Sequence, residues 1–114
     1  MGTAKNDRDE LLPGTLCLLI LKTLSHRGPM HGWGIAEHIQ QISDDVLQVE
    51  EGSLYPALQR MLVKGWLTSE WGLSDNNRRA RYYRLAAAGR RQLQTELAQY
   101  ARVTGGIAKV LQMA

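Results

Sequence analysis

Apolar and polar positions along the chain alternate with helical period over most of its length and with strand period in one short stretch. From Thr15 to Ser25 the chain is almost continuously apolar. Leu16, Leu19, Ile20 and Leu24 make one helical face, Leu18 and Leu21 a second, and Gly28-Pro29 ends the run. A helix apolar on two faces must be covered on two sides, and a second subunit is the economical second cover. Ile35, Ile39 and Ile42 predict a short amphipathic helix over Gly32 to Ile42. Its entrance is His31-Gly32-Trp33-Gly34, whose glycines suit a close approach of backbone to backbone or to a ligand. Val46 to Val49 has room only for a short extended piece. The third helix is the clearest, with Leu54, Ala57, Leu58, Met61 and Leu62 inward and Ser53, Tyr55, Gln59, Arg60 and Lys64 outward. Pro56 lacks an N–H and is expected in the first turn, so this helix begins near Glu51 to Ser53, and Gly65 marks its end.

Trp66 to Trp71 and Arg81 to Leu85 read as two strands around a long polar tip that carries Asn77, Arg78 and Arg79. From Ala87 helix formers return, and Leu93, Leu97, Tyr100, Thr104, Ile107 and Leu111 follow alternating spacings of four and three. This is the heptad-type seam of a helix that pairs with another helix. Gly105-Gly106 costs about 1 kcal/mol per glycine relative to alanine. The pair leaves open a bend, a break or a closely approaching partner helix. The expected organisation is a flexible N-terminus over 1–10, a unit of three helices and a hairpin over 11–86, and a C-terminal helix over 87–114. The fold class is mostly α with a small β-hairpin, and 114 residues suffice for one domain with a modest core.

Charge sharpens this picture. Residues 1–51 hold four Lys/Arg against eight Asp/Glu, and residues 52–114 hold ten against three. Arg78, Arg79, Arg81, Arg84, Arg90 and Arg91 form a stretch without an acid. Such a basic half fits an anionic partner, either nucleic acid or an anionic membrane surface, and its bland counterpart is a solvated arginine-rich face. Cys17 is the single cysteine, so no intrachain disulfide or multi-cysteine metal site forms, in keeping with a reducing cytoplasm. The run Leu11 to Leu21 follows Asp7, Asp9 and Glu10 and is interrupted by Pro13-Gly14, which argues against a signal peptide. It is also far short of the roughly 20 apolar residues of a membrane span. His26, His31 and His38 match no metal pattern, no glycine-rich phosphate loop follows a strand, and Glu50-Glu51 fits helix-start electrostatics. Neither an enzyme nor a cofactor is expected.

Three helices followed by a basic hairpin is the order of a winged helix-turn-helix. Its third helix fits the DNA major groove, and its hairpin reaches the backbone or the adjacent minor groove. The candidate DNA-contacting residues are His31, Trp33 and Gly34 at the second-helix entrance and Ser53, Tyr55, Pro56, Gln59, Arg60 and Lys64 on the third helix. Asn77, Arg78, Arg79 and Arg81 join them from the hairpin. Tyr55 is equally suited to packing between helices. A rival reading has the same hairpin and helix binding an acidic protein surface.

The segments Gly14-Thr15-Leu16 through Leu24, His31-Gly32-Trp33-Gly34-Ile35, Glu51-Gly52-Ser53-Leu54-Tyr55-Pro56-Ala57-Leu58 and Arg81-Tyr82-Tyr83-Arg84-Leu85 with Gly89 resemble the PadR family of bacterial transcriptional regulators. The resemblance covers nearly all of residues 11–114. It implies a homodimeric cytoplasmic repressor of stress-response or efflux genes, bound to double-stranded operator DNA with an inverted repeat and released by a small aromatic effector. It also implies that the C-terminal helix drives dimerisation and packs on the partner's first helix. Leu18, Leu21, Leu93, Leu97, Tyr100, Ile107 and Leu111 are the expected dimer contacts. Two positions depart from the family's pattern. Trp33 stands where tyrosine is usual, which substitutes an indole N–H for a hydroxyl. Ala86 stands where threonine is common and forgoes about 1 kcal/mol of helix capping.

Overall fold

The computed structural model describes residues 14–113, and the loose stretch expected over 1–10 lies outside the described residues. The apolar run becomes α1 (Thr15–Arg27), followed by β1 (Met30–His31), α2 (Gly32–Ile42), α3 (Glu51–Val63), β2 (Leu67–Leu73), β3 (Arg79–Leu85) and α4 (Ala87–Leu111). The strands form one antiparallel sheet in the order β1-β3-β2. This is a winged-helix arrangement, with β2 and β3 as the wing.

Backbone chemistry sets the helix ends. At the end of α2, Asp44 (φ 54°) and Asp45 (φ 67°) are left-handed, a conformation Asp tolerates better than most residues. Their N–H groups reach Gln41 O at 3.1 Å and Gln40 O at 2.8 Å, satisfying two terminal carbonyls. Residues 46–49, expected to be extended, pair with no strand, and Leu47 and Val49 pack against the core instead. Helix α3 ends in the same type of cap at Gly65 (φ 79°), with Gly65 N–H on Leu62 O and Trp66 N–H on Met61 O, both at 3.0 Å. At its start, Ser53 and Leu54 N–H both reach Glu50 O, at 3.0 and 2.9 Å. Pro56 is consequently the sixth residue of α3 and not a first-turn residue, and the Gly52 carbonyl four residues back has no N–H to receive from it.

The wing strands are longer than expected and the tip is shorter. Asn77 N–H donates to Ser74 O and Ser74 N–H to Arg78 O, both at 2.8 Å, with Asn77 left-handed at φ 61°. This closes the hairpin over Asp75, Asn76 and Asn77, with asparagine where glycine is usual, and places Arg79 inside β3. β1 pairs Met30 with Tyr83 and His31 with Tyr82, a strand that the sequence pattern did not mark.

Ile20, Leu21, Leu24, Ile35, Leu54 and Leu58 are the largest fully buried side chains. Helix α1 lies among α2, α3, β3 and α4, which explains its two apolar faces within a single chain. Leu18, Leu21 and Leu93, expected as dimer contacts, face this single-chain core. These residues are 8%, 0% and 4% exposed inside the chain's own core, and Leu97 packs partly against it. Helix α4 runs uninterrupted through Gly105-Gly106, so the pair neither breaks nor ends it. Its N-cap Ala86 makes no side-chain capping bond. Gly89 seats the helix: a Cβ there would collide with the Trp66 carbonyl oxygen and lie 2.8 Å from Leu85 Cδ1.

Two outcomes follow from this packing. Gly89→Ala lowers stability by about 1–3 kcal/mol through overpacking against a backbone carbonyl. Gly52→Ala, with nothing within 4 Å of its added Cβ, leaves stability unchanged or raises it by up to about 1 kcal/mol. Thermal unfolding of the pair compares them directly, and equal melting temperatures for the two variants would contradict the account. Burial, then Glu96, pushes the Cys17 thiol up to about 11 against the opposing pull of Lys64 and Arg60. With the thiol raised from 9.0 to about 11, the thiolate is about a hundredfold scarcer at neutral pH. Iodoacetamide alkylation is therefore expected to be slow in the folded protein and to accelerate at least tenfold in urea.

Candidate nucleic-acid interface

The wing and the entrance of α2 face one another across an open groove of about 820 Å³. His31, Trp33 and Gly34 line one side, Arg78, Arg79 and Arg81 the other, and Tyr55 reaches it from α3.

His31 is the N-cap of α2, its Nδ1 accepting the Gly34 N–H at 2.9 Å. A neutral His31 that accepts at Nδ1 carries its proton on Nε2, which leaves a ring N–H available as a donor. Its ring meets Tyr82 edge to face, with centroids 5.5 Å apart. The glycines of the entrance are explained by close approach. A Cβ on Gly32 would lie 2.7 Å from the Tyr55 ring, and one on Gly34 would lie 3.2 Å from the His31 ring. The Tyr55 ring braces α3 against α2, the packing role expected of it, and the residue remains 42% exposed. Burial, then Glu51 and Tyr83, raises its pKa, so the phenol stays protonated at neutral pH and can donate. Trp33 is 60% exposed beside it.

On the wing, cross-strand register sets Trp71 opposite Arg81 and Leu73 opposite Arg79 on one face. The Arg79 guanidinium stacks over the Trp71 ring at 4.5 Å. Arg81 Nε donates to Ser69 Oγ at 2.8 Å, and its guanidinium lies 6.0 Å from the Tyr83 ring centre. Across the sheet, Tyr82 OH donates to Leu73 O at 2.8 Å and stiffens the hairpin. Among the described residues the ion pair Arg84–Glu70, at 3.8 Å, lies outside the groove, and its arginines make none.

The remaining candidates lie elsewhere. Ser53, Pro56, Gln59 and Arg60 are exposed on α3 and do not line the groove. Lys64 stacks on Trp66 at 4.8 Å, and Asn77 serves the turn. The structure adds Arg27, Glu37, His38 and Trp71 to the groove. Of these, Trp71 alone carried a sequence signal, as a large aromatic on the outward-facing side of an alternating strand. Among the described residues no helix is long and apolar enough to cross a membrane, and no group of His, Cys, Asp or Glu suits a metal.

Comparison with known proteins agrees with this architecture. The model of the transcriptional regulator PadR-like family matches residues 20–95. A transcriptional regulator from Clostridium thermocellum superposes with a TM-score of 0.77 at 25% identity, over 84% of this chain and 92% of that one. A PadR family transcriptional regulator from Eggerthella lenta gives 0.72 at 31% identity, over 89% and 85%. An uncharacterized protein of Lysinibacillus sphaericus is 27% identical over 97 residues, 84% of this chain and 87% of its own length. The family is one of transcriptional regulators and not of enzymes, and with its model spanning the core, the wing and the start of α4, this chain belongs to the PadR-like family of transcriptional regulators.

Proposed function

We propose that the protein is a homodimeric, sequence-specific DNA-binding regulator that holds an inverted-repeat operator with one winged-helix unit per half-site. The observation that carries this reading is the groove, where wing arginines that make no ion pair among the described residues converge with the hydrogen-bond donors of the α2 entrance. Guanidinium groups in such a place neutralise backbone phosphates and release counterions. The exposed face of α3, with Ser53, Gln59 and Arg60, is then free to meet base edges in the major groove.

A second copy is the partner for α4. Beyond Leu97 the helix exposes Tyr100, Val103, Ile107, Val110 and Leu111, at 47% to 77%, in heptad-like spacing. The seam is the far half of α4, since Leu18, Leu21 and Leu93 are already spent in the core. In this reading residues 11–86 bind DNA and 87–114 dimerise. The repressor role, stress-response or efflux targets, release by a small aromatic effector and a cytoplasmic setting rest on the resemblance to the family.

Charge reversal at Arg78 and Arg79 together is expected to weaken binding to all duplex sequences and to lower the slope of log K against log salt by about two. Titration of labelled duplex at two salt concentrations measures it, and absence of duplex binding by the wild type at low salt overturns the reading. Ile107→Asp is expected to convert the dimer to a folded monomer in sedimentation, because its side chain is 47% exposed and outside the core. A stable wild-type monomer at working concentration contradicts the seam.

A further inference from the structure

Resting on the reading of the groove as a channel for DNA backbone, we propose that Arg27 and His38 form a second phosphate-holding wall, facing the wing arginines. Arg27 is the last residue of α1, and His38 lies two turns into α2. The fold brings them together, with Arg27 Nη1 3.5 Å from His38 Nδ1, and both line the groove. Neither belongs to the α2 entrance, α3 or wing residues already proposed to meet DNA.

Several observations point to an anion at this place. Arg27 makes no ion pair among the described residues, and its one polar partner there is the His38 ring. A guanidinium has five donors, so most of them remain available. Across the groove stand Arg78, Arg79 and Arg81, and the acids lining it are Glu37 and Asp75. Four guanidiniums against two carboxylates leave an excess of positive charge between two walls, which focuses attraction for a polyanion.

His38 makes the wall sensitive to protons. Burial first, then Arg27 and His26, hold its pKa below the usual histidine value. His31 at the N-cap, Glu37 beside it and the charged wing residues named above complete its surroundings. The lowered pKa favours the neutral ring, whose Nδ1 lies 3.5 Å from Arg27 Nη1 and can accept from it. A phosphate seated between them favours the imidazolium, so DNA binding draws a proton onto His38 and tightens as pH falls.

The test is titration of the full-length protein with a labelled duplex of its own upstream DNA, at two salt concentrations and between about pH 8 and about pH 6. Wild-type affinity is expected to rise on acidification, by at most about tenfold per pH unit for one proton taken up. His38→Gln is expected to lose most of that rise, whereas His26→Gln keeps it. Arg27→Gln is expected to lower the slope of log K against log salt by about one, and Arg27→Lys to restore it. Thermal unfolding matching the wild type shows that the fold is kept. A full acid response in His38→Gln, or an unchanged slope in Arg27→Gln, overturns the second wall. Should the Arg78 and Arg79 reversal still weaken binding in that case, the DNA reading stands without it. No duplex binding by the wild type overturns both.

Discussion

Helix α1 packs against four other elements of its own chain, with Lys22, His26 and Arg27 left exposed, and the positions of those elements follow from that packing. Ile20, Leu21 and Leu24 are no more than 2% exposed, and each such side chain contributes about 1.5–3 kcal/mol when fully buried. Around them, α2 and α3 form the helix-turn-helix corner, β3 carries the wing, and the first turns of α4 close the core through Leu93 and Gly89.

From this base the groove is assembled by short-range contacts. The Tyr55 ring on Gly32 sets the distance between α3 and α2, and the His31 cap orients the α2 entrance. The ladder between β2 and β3, closed by the Asn77 turn, holds Arg79 on Trp71 opposite that entrance. The positive charge is therefore held on rigid elements, and the tip is short. Preorganisation of this kind reduces the entropy lost when a charged side chain meets a phosphate.

Much of this was legible in the residue pattern. The bounds of α2, the start of α3 and the end of α3 at Gly65 are written in local periodicity and cap chemistry. What escaped depended on tertiary pairing. A two-residue strand such as β1 has no period to detect, and it exists because β3 offers an edge. Leu18 and Leu21 are covered within the chain, and a helix apolar on two faces does not announce which neighbours will cover it. Pro56 sits just beyond the first turn that its missing N–H suggested, since the Glu50 carbonyl starts the helix at Glu51, the first residue of the expected range. The groove itself was half legible: the wing arginines and the α2 entrance stood out, but Arg27 and His38 meet only after α1 and α2 fold together.

With the near half of α4 used in the core, its far half is the proposed dimer seam, and two copies joined there would present two grooves related by a twofold axis. Selection of bound duplexes from a random-sequence library by the full-length protein tests this account most directly. It predicts enrichment of an inverted repeat whose half-sites lie about one helical turn, roughly 10 base pairs, apart or at a multiple of it. An asymmetric single site, or no enrichment over the starting library at low salt, would contradict it.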